Sequence, residues 1–131
     1  MGTRLLIVDD NTLNRDLLRE VLEYLGFEVI EAADGREGVK LARRHLPALI
    51  FMDIQMPAMD GITAGRVLKE DPATSWIKII ALTSFALSGD RDGILDAGFD
   101  DYLSKPVEIR ELPERIICWL GDREYQTDTG D

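Results

Sequence analysis

The sequence is poor in the residues that form covalent cross-links and soft metal sites. Cys118 is the only cysteine and His45 the only histidine among 131 residues. This excludes disulfide frameworks, thiolate zinc sites, cysteine–histidine nucleophilic pairs and histidine-based metal sites within the chain. Any metal that this chain binds by itself must therefore be held by oxygen ligands.

Positive charge and long apolar runs are scarce as well. The chain has 15 Lys and Arg against 25 Asp and Glu, which gives a formal net charge of −10. Sequence-independent nucleic-acid binding needs a basic surface that displaces counterions, so no direct nucleic-acid contact is expected. No run approaches the ~20 apolar residues that span a membrane, and the start lacks the apolar region of a signal peptide. We therefore predict a cytoplasmic protein with no membrane contact.

Short apolar runs alternate with amphipathic stretches along the whole chain. The length fits one domain with a sizeable core. We expect this domain at residues 1–121, followed by a polar, disordered tail at residues 122–131. The predicted strands are Leu5–Val8, Phe27–Glu31, Ala48–Met52, Lys78–Leu82 and Asp101–Leu103.

Helical patterns with recognisable ends lie between the strands. The first has Asn11 or Thr12 as its N-cap and Gly26 as its stop. Its apolar face is predicted to carry Leu13, Leu17, Leu18, Val21, Leu22 and Leu25. The other helices are predicted at Gly35–His45, about Gly61–Glu70, about Ser88–Ala97 and around Leu112–Leu120. Strand–helix units with right-handed crossovers predict an α/β fold with a doubly wound, five-stranded parallel sheet.

Polar residues follow four of the strands. Asp9 and Asp10 follow the first, Asp53 the third, Thr83 the fourth and Lys105 the fifth. Ligands of doubly wound sheets bind beyond the carboxyl ends of the strands, so these side chains are expected to converge. Three carboxylates (−3) and one lysine (+1) leave a local charge of −2, which a divalent cation would neutralise. Hard oxygen ligands suit Mg²⁺, which commonly bridges carboxylates to a phosphate.

Four fragments carry a resemblance to a known family: LIVDDN, MDIQMPAMDG, ALTSF and DDYLSKP. In this order and spacing they resemble the receiver (phosphoacceptor) domain of two-component response regulators, over about residues 4–120. The segment ALTSFALSGDRDGILDAGFDDYLSKP is most similar to single-domain regulators of the cell-division type and to receivers of hybrid histidine kinases. The resemblance implies a flavodoxin-like fold with five helices and strand order 2-1-3-4-5.

The resemblance also implies a ligand set and a phosphate donor. Asp53 matches the phosphoacceptor, which takes a phosphoryl group from a phosphohistidine of a histidine kinase or histidine phosphotransfer protein. Asp10 and Asp53 match direct ligands of Mg²⁺, with Mn²⁺ as an alternative ion. Asp9 matches a ligand acting through water, and the backbone carbonyl of Gln55 completes the set.

The remaining implied roles concern the response to phosphorylation. Thr83 and Lys105 match the hydroxyl and the ammonium that contact the phosphoryl group. Tyr102 matches an aromatic switch that moves inward with Thr83, and the peptide bond before Pro106 is often cis in the family. We expect the face of the fourth helix, fifth strand and fifth helix to bind a downstream target protein. Such a chain catalyses only its own phosphorylation and dephosphorylation at Asp53. We therefore expect that it is not an enzyme acting on a separate substrate.

Several other interpretations compete with this one. The chain could be the receiver module of a hybrid histidine kinase or phosphorelay rather than a stand-alone regulator. A phosphohydrolase of the haloacid-dehalogenase type also uses an Asp nucleophile and Mg²⁺, but it would need an Asp where Gln55 stands. A flavin-binding, flavodoxin-like module needs a hydroxyl- or glycine-rich phosphate loop after the first strand, where this chain has DDNTLN.

Overall fold

The computed structural model describes residues 3–56, 59–84 and 91–121. The predicted tail, residues 122–131, lies outside these ranges, and so does Ser88, the predicted start of the fourth helix. The strands are β1 (Arg4–Val8), β2 (Glu28–Ala32), β3 (Leu49–Asp53), β4 (Lys78–Thr83) and β5 (Asp101–Ser104). The helices are α1 (Thr12–Tyr24), α2 (Gly35–His45), α3 (Gly61–Glu70), α4 (Arg91–Asp96) and α5 (Leu112–Leu120), with a 3₁₀ turn at Ile109–Glu111.

The strands form one parallel sheet in the order β2-β1-β3-β4-β5, which confirms the predicted fold class. β3 is buried along its whole length, whereas the edge strand β2 starts at an exposed residue and becomes buried only at Ala32. Nearly continuous apolar sequence is typical of parallel strands covered on both faces. The central strands run through the core in parallel, so their carboxyl ends lie at the same edge of the sheet.

Two apolar layers enclose the sheet. Leu5 and Ile7 pack with α1 and α5 on one face, and Leu6 and Val8 pack with α2, α3 and α4 on the other. Alternate residues of a strand point to opposite faces, which explains how one strand serves both layers. Each fully buried Leu or Ile side chain contributes about 1.5–3 kcal/mol, so the layers hold the strand ends in a fixed arrangement.

Side-chain caps start three of the helices close to that edge. Asn11 Oδ1 accepts the N–H of Asn14 at 2.9 Å, so Asn11 is the N-cap of α1. The side chains of Asp34 and Asp60 accept N–H groups in the first turns of α2 and α3. A Cβ on Gly61 would overlap the backbone carbonyl of Asp53, so only glycine fits at the start of α3.

The prediction for α1 was partly wrong. Leu18 and Leu22 are buried, but Leu13 is 67% exposed and Leu17 is 51% exposed. Both lie in the first half of the helix, where they project beyond the α1–α5 layer, and Leu17 instead lines a surface groove with Pro106 and Ile109. Within the described ranges, every helix is too short or too polar to cross a membrane.

Candidate functional site

Three carboxylates converge at the carboxyl edge of the sheet. Asp9 and Asp10 follow β1 directly, and Asp53 is the last residue of β3. One oxygen from each lies within 4.8 Å of the others. Asp9 and Asp53 are only 1% and 2% exposed, whereas Asp10 is exposed. The predicted convergence is therefore present, with two members of the cluster buried and one open to solvent.

Lys105 supplies the positive charge beside this cluster. Its Nζ donates to Asp53 Oδ2 at 2.8 Å and lies 3.6 Å from Asp9 Oδ2. The backbone N–H of Lys105 donates to the carbonyl of Thr83 at 2.8 Å, which ties the segment after β5 to the end of β4. The Lys105–Pro106 peptide bond is cis, as the resemblance implied.

Backbone N–H groups orient the two buried carboxylates. The N–H of Gln55 donates to Asp53 Oδ1 at 2.8 Å, and the N–H of Asn11 donates to Asp9 Oδ1 at 2.9 Å. Asp53 therefore has one oxygen on a backbone amide and the other on the Lys105 ammonium. Hydrogen bonds to a charged carboxylate are among the stronger ones in proteins, so its orientation is well defined before any ligand binds.

The electrostatics of the site oppose the presence of several negative charges. Burial raises the pKa of Asp9 to about 6, and the neighbouring Asp53 adds to this effect. The hydrogen bond from Asn11 and the charge of Lys105 act in the opposite direction without cancelling it. A cation close to these carboxylates would therefore stabilise their ionised forms.

The donor set fits a hard divalent cation. It consists of carboxylate oxygens from three residues, and exposed Asp10 leaves one side of the cluster accessible to water. Mg²⁺ prefers oxygen ligands, and it keeps several waters while binding one or two carboxylates. The cluster could bind a metal ion of this kind, with Asp9, Asp10 and Asp53 as its side-chain ligands.

The other residues singled out from the sequence lie around the cluster. Thr83 is the last residue of β4 and is fully buried, in register with Ser104 of β5. Tyr102 lies on β5, half-buried against the apolar layer that contains α4. Gln55 is exposed, and its backbone joins Asp53 to the loop before α3. Their places agree with the implied roles, which stay predictions.

Sequence reasoning missed the link between β5 and α5. The indole N–H of Trp119 donates to Asp101 Oδ2 at 2.9 Å, and Arg115 donates to the same oxygen at 3.2 Å. Burial alone would raise the pKa of Asp101, but these partners and the N–H of Tyr102 hold it below the ordinary value. The residue next to Tyr102 is thus fixed to the last helix. No short sequence pattern indicates a contact across 18 residues.

A groove beside the site was missed as well. It has a volume of about 440 Å³ and opens between α1 and the segment after β5. Its lining includes Asp9, Leu17, Lys105, Pro106 and Ile109. The available signal was the apolar stripe of α1, in which Leu13 and Leu17 stay exposed. We call this feature the α1 groove.

Comparison with known proteins identifies the family. Residues 5–117 match the family model described as the response regulator receiver domain. The chain is 41% identical over 122 residues to the polar-differentiation response regulator DivK of Brucella anthropi, which covers 93% of this chain and 99% of that protein. The chain belongs to the response regulator receiver family. This membership sets aside the haloacid-dehalogenase and flavodoxin alternatives.

Solved structures agree with this chain in fold. The receiver domain of the sensor histidine kinase PA1611 from Pseudomonas aeruginosa superimposes with a TM-score of 0.86 at 38% identity, covering 92% of this chain and 99% of that one. That structure has a magnesium ion coordinated in its active-site cleft. A CheY-like receiver domain protein from Methanospirillum hungatei gives a TM-score of 0.85 at 32% identity, with 96% and 99% covered. Receivers of both regulators and sensor kinases are therefore among the relatives.

Proposed function

We propose that this receiver is a phosphorylation switch in which Asp53 accepts a phosphoryl group from a phosphohistidine of a histidine kinase or histidine phosphotransfer protein. One observation carries the proposal. The carboxylate of Asp53 is held between the backbone N–H of Gln55 and Lys105 Nζ, both at 2.8 Å, next to two further carboxylates. A structural carboxylate needs no such additional negative charge beside it.

The residues of the site supply position and charge. An oxygen of Asp53 attacks the phosphorus, the bond between phosphorus and the histidine nitrogen breaks, and the imidazole leaves with that electron pair. The product is an acyl phosphate on Asp53. Lys105 lies where it can neutralise charge on the phosphoryl oxygens, and Thr83 ends the neighbouring strand where its hydroxyl can turn toward them. Catalysis of this transfer rests on positioning and electrostatic stabilisation.

Mg²⁺ fits the adjoining acidic cluster, and Mn²⁺ is the alternative ion. Asp9, Asp10, Asp53 and the backbone carbonyl of Gln55 are the residues that would hold it. When bound, the ion offsets the negative charge of carboxylates and phosphoryl oxygens. Burial is the main cause of the raised pKa of Asp9, and the charge of Asp53 adds to it. A cation held here would favour the ionised carboxylates, which supports this proposal.

The α1 groove suits the protein that donates the phosphoryl group. It is lined by apolar Leu17, Pro106 and Ile109 and reaches Asp9 and Lys105 at its inner end. Exposed apolar area of this kind marks contact surfaces on soluble proteins. A helical partner lying along the groove would therefore present its histidine close to Asp53. The same surface would serve a receiver within a hybrid histidine kinase.

The expected output uses the face formed by α4, β5 and α5. Tyr102 lies on β5 between α4 and α5, so a movement of Thr83 and Tyr102 would change the surface that a downstream target protein binds. A switch requires two states that differ by only a few kcal/mol. In this proposal the chain acts by protein contact and is not a turnover enzyme, and its cytoplasmic location stays a prediction.

The test is phosphate incorporation from acetyl phosphate. Wild-type protein should acquire one base-labile, hydroxylamine-sensitive phosphate in the presence of Mg²⁺, and Asp53→Asn should acquire none. Asp16→Asn is the matched control, because Asp16 lies on α1 and its ion pair within the described part of the chain is with Arg19. Undiminished incorporation in Asp53→Asn, or in EDTA, would overturn the assignment.

A further inference from the structure

A second groove lies between α2 and α3, away from the phosphorylation site. Its volume is about 520 Å³. We call it the α2–α3 groove. It is lined by Arg36, Val39, Lys40, Arg43, Arg44, Met59 and Val67. Four of these seven residues are cationic, in a chain whose formal net charge is −10.

Within the described part of the chain, most of this positive charge has no internal partner. Arg43 pairs with Asp71 at 3.0 Å. Among the residues that the structure describes, Arg36, Lys40 and Arg44 form no ion pair or side-chain hydrogen bond. All three are exposed. They are therefore available to a ligand.

Helix stability does not explain the arrangement. Arg36, Lys40 and Arg44 follow each other at i, i+4 and i+8, so each neighbouring pair places like charges on the same helix face. Such pairs destabilise a helix. Arg36 also lies in the first turn, near the positive end of the helix dipole. Arg44 gains from the dipole in the last turn, but Arg36 and Lys40 do not.

The floor of the α2–α3 groove is apolar. Val39 of α2 is buried at the floor of the groove, and Val67 and Met59 are partly buried. Met59 belongs to the loop between Asp53 and α3, and its backbone carbonyl leaves no room for a Cβ on Gly35 at the start of α2. A ligand in the groove therefore contacts the loop that follows the phosphoacceptor.

We propose that the α2–α3 groove docks an acidic amphipathic helix of a partner protein. The cationic rim complements acidic side chains, and the apolar floor accepts the anchors of a helix that lies between α2 and α3. A long polyanion fits less well, because the chain has a formal net charge of −10 and, without the four groove cations, −14. A short helix meets only the groove, whereas nucleic acid or an anionic membrane would also meet this negative surface.

The test measures binding of a synthetic amphipathic peptide with glutamates on one face and leucines on the other, labelled with fluorescein. We expect wild-type protein to bind it and the double variant Arg36→Glu/Lys40→Glu to bind it at least ~10-fold more weakly. Arg66→Glu is the matched control, since Arg66 is an exposed cation on α3 that does not line the groove. Its affinity should stay within about twofold of wild type. Raising the salt concentration should weaken binding to wild type.

Amide chemical shifts then show where the peptide binds. Changes should centre on Val39, Met59 and Val67, and they should persist in Asp53→Asn. This docking does not depend on phosphorylation, so its failure and that of the phosphoacceptor assignment can be distinguished. No shift at these residues at millimolar peptide, or equal binding of a peptide with lysine in place of glutamate, would overturn the proposal. Binding of an oligonucleotide or phosphatidylglycerol vesicles with the same loss in the double variant would replace the helix by a polyanion and also overturn it.

Discussion

The molecule contains two clusters of like charge that differ in burial. Asp9 and Asp53 are almost completely buried beside Asp10, whereas Arg36, Lys40 and Arg44 are all exposed on α2. Two unit charges 4 Å apart interact by about 4 kcal/mol at an effective dielectric of 20, but by about 1 kcal/mol in water. Buried like charges therefore determine local stability, while exposed ones affect mainly what the surface can bind.

The two clusters also differ in freedom. Backbone N–H groups fix Asp9 and Asp53, so these carboxylates cannot move apart. The cations of α2 sit at the ends of long side chains that can separate in solvent. The carboxylate cluster has Lys105 within 3.6 Å of Asp9 and 2.8 Å of Asp53, whereas Arg36, Lys40 and Arg44 form no ion pair with any other described residue. The comparison predicts that substitutions in the first cluster change stability far more than those in the second.

Removing the cation from the carboxylate cluster should have the largest effect. Lys105→Met leaves buried Asp53 without its 2.8 Å partner. Breaking a buried pair in this way costs about 3–5 kcal/mol, and because Lys105 is partly exposed we expect about 2–4 kcal/mol. Urea unfolding in EDTA measures the loss, and Lys105→Arg, which keeps the charge, is the control.

Saturating Mg²⁺ should reduce the loss in Lys105→Met, because a bound cation offsets the same carboxylates. A variant as stable as wild type in EDTA would mean that water screens the carboxylates as fully as it screens the exposed cations. The contrast between the two clusters would then disappear.

Removing one of the buried negative charges should instead stabilise the fold. Asp9→Asn keeps an oxygen for the N–H of Asn11 while it relieves the repulsion from Asp53. We expect the variant to be about 1–2 kcal/mol more stable than wild type in EDTA, which is the usual gain when a functional site is neutralised. Thermal melting measures it.

Asp10→Asn sharpens the Asp9 result, because Asp10 belongs to the same cluster but is exposed. It should stabilise the fold by less than Asp9→Asn, and both gains should shrink in Mg²⁺. Equal gains from the two substitutions would show that burial does not control the repulsion.

A third cluster contains charges of both signs and is intermediate in burial between the carboxylate cluster and the α2 cations. Glu31 on β2 accepts hydrogen bonds from Arg15 at 3.1 Å and Arg19 at 2.8 Å. Burial alone would raise the pKa of Glu31, but the two guanidinium groups outweigh it and hold the pKa below 4.5. A lowered pKa in the folded state stabilises the fold above the ordinary pKa, and this contribution is lost as the pH falls through the folded-state value.

Glu31→Gln should therefore lower the free energy of unfolding at pH 7 by about 0.5–1 kcal/mol, after allowance for solvent screening. The difference from wild type should fade as the pH falls below 4.5. Denaturant unfolding across this pH range measures it. Glu20→Gln, an exposed residue of α1 without an ion pair among the described residues, should show no such trend.

The sequence predicted the elements of the fold closely, because its signals were local. The bounds of α2, α3 and α5 agree with the prediction, and each end of a strand lies within one residue of its predicted position. Caps such as Asp34 and Asp60 act within three residues of the helix start. The convergence of Asp9, Asp10 and Asp53 was predictable as well, since parallel strands end at one edge.

Features that depend on the third dimension could not be read in the same way. Asp9 and Asp10 are adjacent in the sequence, yet of the two only Asp9 is buried. The burial of each residue depends on whether its side chain faces the packed layers at the end of the strand. Leu13 and Leu17 match the apolar period of α1 but project beyond the layer that covers Leu18 and Leu22. The width of a covered stripe depends on neighbouring elements that a local pattern does not contain.

The smallest expected effect on stability concerns Lys40, one of the exposed cations of α2. Lys40 stands four residues from both Arg36 and Arg44, so Lys40→Glu turns two repulsive helix pairs into two attractive ones. Each such pair is worth roughly 0.2–0.5 kcal/mol, so the melting temperature should rise by about 1–3 °C. Lys40→Gln, which only removes the charge, should give a smaller rise. If Lys40→Glu were less stable than wild type, the three cations would contribute to folding and the need for an anionic partner would weaken. A more stable variant that no longer binds the acidic peptide would show that the α2 cations are retained for binding at the expense of stability.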